Sequence, residues 1–82
     1  MNLDELRERL RIVGVPDDHY HLGPGFAHGY GEVVVQTDAR GRWQTFVSER
    51  GNIYDRKYHD RESEACEHAL RLLIPRGTAG DP

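Results

Sequence analysis

The residues best suited to chemistry are the histidines at positions 19, 21, 28, 59 and 68. His19 and His21 are separated by one residue, so on a strand both rings would project to the same side, with His28 near enough in sequence to join them. A metal centre needs three or four converging ligands with outer support. This spacing is generic and lies in a glycine-rich stretch, so the expectation is exposed histidines and no metal. His68 falls on the polar flank of a helix. A nucleophile needs an adjacent base and a group that orients the base. Ser48 and His59 could meet across neighbouring strands, but no strand–turn–helix elbow surrounds the serine. Gly23-Pro24-Gly25 lacks the lysine and the helix start that a phosphate-cradling loop requires, and reads as a turn. Glu62 and Glu64 point to different sides of a helix, so they make no acid–base dyad. These patterns predict no catalytic residue, no metal and no cofactor: a protein that is not an enzyme.

Composition narrows the class. The chain has 82 residues, enough for one domain, and a chain of this size buries only roughly 60% of its unfolded surface. A charged fraction of 30% beside 37% hydrophobic residues fits a globular domain rather than a disordered chain. The net charge of −3 argues against a nucleic-acid partner, which calls for a basic face. No apolar run approaches the roughly 20 residues that cross a bilayer, so no membrane partner is expected. Asp4, Glu5 and Glu8 interrupt the first leucines, unlike a secretory signal, and the expected location is the cytoplasm. The single cysteine, Cys66, has no partner for an internal disulfide; among Ala65, Ala69 and Leu70 it reads as a small core residue.

Several elements are legible. Asn2 followed three residues later by Glu5 is a capping box, and Leu3, Leu6, Leu10 and Val13 recur at helical spacing, predicting a helix over 3–12 that Gly14 stops and Pro16 keeps from resuming. Residues 17–31 read as turns anchored by Tyr20, Leu22, Phe26 and Tyr30, with a short strand near Tyr20–Leu22. Residues 32–37 form a strand by propensity. Asp38 to Gly41 make a tight turn with Gly41 at positive φ. In the next strand, 42–48, Trp43, Thr45 and Val47 share one face and Gln44, Phe46 and Ser48 the other, so the strand should be central. After a turn at 50–52 comes a strand over 53–59, with Tyr54, Arg56 and Tyr58 on one side. Asp60 then caps a second helix of about 61–74, whose buried stripe is Cys66, Ala69, Leu70 and Leu73 and which Pro75 ends. The expected fold is α+β in two layers: N-terminal helix, three- or four-stranded antiparallel meander, C-terminal helix. Residues 1–74 form the domain and 75–82 a flexible tail.

Tyrosine and arginine are favoured at the centres of protein interfaces. Tyr58, beside the helix cap, is assigned to the core. Tyr54, beside the charged turn at Glu49 and Arg50, suits core packing or partner contact about equally. Glu64 and Glu67 make the exposed side of the second helix acidic, suited to steering a basic partner.

A resemblance rests on Leu3-x-x-Leu6, the Gly14-Val15-Pro16 break, Tyr20-x-Leu22, Trp43-x-x-Phe46-x-Ser48-Glu49-Arg50-Gly51, and Tyr58 followed by Ser63-Glu64 and Cys66. Across about residues 3–73 the chain resembles a group of very small bacterial immunity proteins encoded beside polymorphic toxins. It departs from that pattern over 23–31, where it is richer in glycine and histidine. The resemblance implies stoichiometric, non-catalytic neutralisation of a cognate toxin domain, with Glu49, Arg50 and Tyr54 as anchors and Glu64 and Glu67 steering. The alternative is a small homodimeric interaction or regulatory module that pairs through an exposed strand edge.

Overall fold

The computed structural model describes residues 1–77, with side chains described as far as residue 74. The order of elements is α1 (Leu3–Val13), a short 3-10 turn (Asp17–His19), β1 (Tyr20–Leu22), β2 (Tyr30–Thr37), β3 (Trp43–Glu49), β4 (Asn52–His59) and α2 (Glu62–Gly77). The four strands form one sheet in the order β1-β2-β3-β4. The expected α+β architecture is present, and among the described residues both helices lie on one face.

The capping box forms as the spacing predicts. The Asn2 side chain accepts the Glu5 N–H and the Glu5 carboxylate accepts the Asn2 N–H, both at 2.9 Å, while Gly14 closes the helix in the left-handed conformation. Leu6 and Leu10 are fully buried, whereas Val13 is exposed and Val15, beyond the cap, turns into the core. The core is built from these residues, Val33 and Val35 of β2, and Ala65, Cys66, Ala69 and Leu73 of α2, with Trp43 and Val47 packed against it. The alternation assigned to β3 therefore holds: Trp43, Thr45 and Val47 face the helices. The two helices are also tied to each other at their N-terminal ends, where the Leu3 N–H donates to the Glu62 carboxylate at 2.8 Å.

The sheet is not a simple meander. β2, β3 and β4 are antiparallel neighbours, but β1 runs parallel to β2, with Tyr20 opposite Val33 and Leu22 opposite Val35. A parallel neighbour requires the chain to travel back along the strand. Because β1 is only three residues long, residues 23–29 suffice. They cross the sheet face away from the helices, resting on the outward stripe of β2 formed by Glu32, Val34 and Gln36. Gln36 Nε2 donates to the Gly23 and Gly25 carbonyls at 2.9 and 3.2 Å. Glu32, 1% exposed, accepts the N–H groups of His28 and Tyr30 at 2.7 and 2.6 Å. Gly29, at φ +85°, sits against the next turn: its carbonyl accepts the Arg50 N–H at 2.9 Å, and a Cβ there would lie 3.2 Å from that nitrogen.

Two boundaries differ from expectation. α2 begins at Glu62, two residues after Asp60, whose N–H donates to the Glu64 carboxylate at 3.2 Å. The helix also passes Pro75 to Gly77; proline removes one backbone donor, but its fixed φ is compatible with a helical turn. Of the tail expected at 75–82, residues 78–82 lie outside the described residues.

Glu32 makes a stability prediction. Burial alone would raise its carboxyl pKa, and the backbone N–H groups of His28, Tyr30, Glu32 and Gly29 more than offset this, holding it below the ordinary value of 4.5. The folded state therefore binds a proton less readily than the unfolded chain. The stabilisation is complete above the ordinary value and is lost as pH falls through the lower folded one. Glu32→Gln should cost about 1–3 kcal/mol and flatten the acid limb of the unfolding profile, measured by urea denaturation between neutral and acid pH.

Candidate functional site

The last strand determines where the candidate residues stand. β4 has one neighbour, β3, and its other edge is free among the described residues. Its register with β3 slips between Thr45 and Val47, and Asp55 adopts φ +56°. This is a β-bulge with a non-glycine residue in the left-handed region, which costs energy and re-aims the side chains beyond it. Before the bulge Tyr54 pairs with Val47 and faces the helices; after it Tyr58 pairs with Gln44 and faces outward. The expectation that Tyr54, Arg56 and Tyr58 share a side is thus overturned by one inserted residue. Tyr58, expected in the core, is 43% exposed, with the Arg42 guanidinium 4.3 Å above its ring.

Glu49 and Arg50 sit at the two-residue turn between β3 and β4. Arg50 and Gly51 both have positive φ, at 52° and 81°, as a tight hairpin of this hand requires. Glu49 and Tyr54 line one groove, of about 440 Å³, together with Asp55, Val47 and Leu72. Glu64 and Glu67 lie toward the other end of β4, in a groove of about 300 Å³ shared with Lys57, His59, His68 and Arg71. Both grooves follow the seam between β4 and α2. The fold thus divides the five candidate residues between two stations on one seam: a tyrosine station near the β3–β4 turn and an acidic one near the start of α2.

At the acidic station the rings of His59 and His68 lie 5.3 Å apart between centroids, and His59 Nε2 is 2.9 Å from the Oγ1 of buried Thr45. Burial holds both imidazoles below the ordinary pKa. Lys57 and Arg71 lower both further, His59 lowers His68, and Glu64 works in the opposite sense on His59. The remaining histidines separate: His19 lies in the 3-10 turn instead of a strand, His21 approaches the Pro24 carbonyl at 3.2 Å, and His28 stacks on Tyr30. Among the described residues no three His, Cys, Asp or Glu side chains converge in a way that could hold a metal ion. Ser48 pairs with Ile53 on the outer face, far along the strand from His59, which pairs with Trp43. Cys66 is fully buried, and desolvation pushes its thiol up to about 11, so it is un-ionised at neutral pH.

A further group of residues is only partly legible in the linear pattern. On the outer face, Gln44 is 7% exposed and its Oε1 is buried without a hydrogen-bond partner. An orphaned buried acceptor of this kind costs about 1–3 kcal/mol. Beside it, Arg56 lies over the Phe46 ring at 5.7 Å, and Phe26, on the crossover loop, is 96% exposed. Alternation in β3 puts Gln44 with Phe46, as the sequence predicts; the bulge and the crossover that complete the group are tertiary. No helix among the described residues is long and apolar enough to cross a membrane. Comparison with protein-family models, curated proteins and solved structures finds no match.

The histidine pair should titrate visibly. With folded pKa values below the ordinary 6.5, both rings stay neutral in the fold while the unfolded chain takes up protons. Stability contributed by the neutral pair is complete above the unfolded value and declines as pH falls below it toward the folded values. Ring-proton NMR titrations should give midpoints below 6.5 for His59 and His68, and His59→Gln should raise that of His68. Midpoints at or above the ordinary value would contradict the packing described.

Proposed function

We propose that the chain is a non-catalytic binding protein that neutralises a bacterial toxin domain by stoichiometric contact in the cytoplasm of the producing cell. The observation that carries this reading is the β4–α2 seam. An eight-residue strand with one free edge runs beside a helix that presents Glu64 and Glu67, and Tyr54, 48% exposed, stands at its other end near Glu49 and Arg50. A standard interface takes roughly 800 Å² per partner, a large share of the 5483 Å² surface of the chain. The aromatic station supplies desolvated anchoring, and the acidic station supplies long-range attraction for a basic partner.

The free edge also favours one alternative, a homodimer in which two β4 strands pair. Edge strands offer unpaired backbone groups to any strand that can approach, although the Asp55 bulge interrupts a long flat ladder.

Coexpression with the toxin domain encoded beside the gene tests the proposal. The chain should restore growth and copurify with the toxin. Tyr54→Ala should weaken binding by about 2 kcal/mol, some 30-fold in Kd, with the fold retained by circular dichroism, and Glu67→Lys should slow association at low salt. Absence of both rescue and copurification, with a stable dimer by sedimentation, would assign the chain to the alternative.

A further inference from the structure

The outer face of the sheet holds a further groove, of about 330 Å³, walled on one side by the crossover loop and on the other by β4. Its features are chemically specific. The floor is apolar, made by Val34 and Phe46, with half-exposed Ile53 at one margin and Phe26 standing almost fully exposed at another. Arg56 lies over the Phe46 ring, 5.7 Å from its centroid, and its Nη1 donates to the Tyr58 hydroxyl at 3.5 Å. The other N–H groups of its five-donor fork stay available for a carboxylate. Arg42 is different: it is held by Asp38 through a 2.9 Å ion pair. No carboxylate lines the groove among the described residues, so the charge of Arg56 is not neutralised from within it. Gln44, more than nine-tenths buried, lines the same groove with its Oε1 unpartnered.

The geometry points to a docking site for an acidic, extended peptide segment of a protein partner, lying between the crossover loop and β4. A carboxylate of the segment engages the Arg56 fork, a backbone N–H of the segment reaches the Gln44 amide oxygen after a small rotation of that side chain, and its apolar side chains cover Ile53 and Phe26. Charge argues against a second copy of this chain: two such faces brought together would offer Arg56 of either copy no carboxylate from the facing groove, since none lines it among the described residues. The site lies across the sheet from the β4–α2 seam and does not rest on the toxin-binding reading.

Random twelve-residue peptides displayed on phage and selected on the immobilised full chain test this directly. The selected peptides should be enriched in aspartate and glutamate beside apolar residues. Arg56→Glu should weaken their binding at least tenfold. Gln44→Leu should weaken it several-fold while melting no lower than the parent, because it removes an orphaned acceptor; a merely structural role for Gln44 would instead lower the melting temperature. Tyr54→Ala, on the opposite face, should leave peptide binding unchanged. Failure to enrich any peptide, enrichment of basic peptides, equal binding to the parent and Arg56→Glu, or dependence on Tyr54 would each overturn the proposal. So would a dimer in sedimentation that Arg56→Glu abolishes, which would make the occupant a second copy. Failure of toxin neutralisation leaves this outcome unaffected, since the two tests use different faces and different partners.

Discussion

The rest of the structure depends on how β2 is covered on the face that the helices leave bare. Three consecutive valines bury both sides of that strand, yet α1 and α2 serve only one. The chain solves this with its own backbone, laying residues 23–29 across the outer side and fastening the loop through Gln36 at one end and Glu32 at the other. Glu32 is the decisive member. A carboxylate in that position is tolerable only because N–H groups converge on it, and their convergence fixes the path by which the loop returns to β2. From this follow the parallel placement of β1, the contact of Gly29 with the β3–β4 turn, and the wall of the outer groove.

A second constraint acts at the other side of the sheet. β4 has no strand beyond it among the described residues, and an exposed flat edge invites unwanted pairing. The bulge at Asp55 breaks the flatness and also sends Tyr54 and Tyr58 to opposite faces. One local distortion thereby gives the molecule two chemically different surfaces. The helix-side seam combines tyrosine with carboxylates, and the outer face combines aromatic rings with arginine. Such division has an energetic cost, visible in the left-handed backbone of Asp55, the orphaned oxygen of Gln44 and the near-complete exposure of Phe26. Departures from internal consistency of this kind concentrate where a protein meets something else.

Much of this was legible in the linear chain wherever the physics is local. The capping box at Asn2 and Glu5 depends on atoms three residues apart, Gly14 and Gly41 on a backbone conformation that other residues resist, and the two-faced pattern of β3 on the period of a strand. All of these are present. The errors arose where distant parts meet. Val13 continues the helical spacing but is exposed, because Val15 beyond the cap takes its place in the core. The glycines of 23–31 announce a turn without saying whether the chain reverses beside β2 or crosses its face. A bulge changes the facing of every residue after it, so Tyr54 and Tyr58 could not be placed by alternation alone.

The sequence by itself determined the elements, the helical stripes that build the core and the α+β class, since these follow from propensity, capping and periodicity within short windows. Only the tertiary structure decided which strand would be parallel, which face would remain open, and that the five candidate contact residues would divide between two stations of one seam. The physical reason is that these outcomes depend on cross-strand register and on which buried polar groups find partners. Glu32 finds backbone N–H groups supplied by the folded loop, while Gln44 Oε1 finds none; nothing in their immediate sequence distinguishes the two.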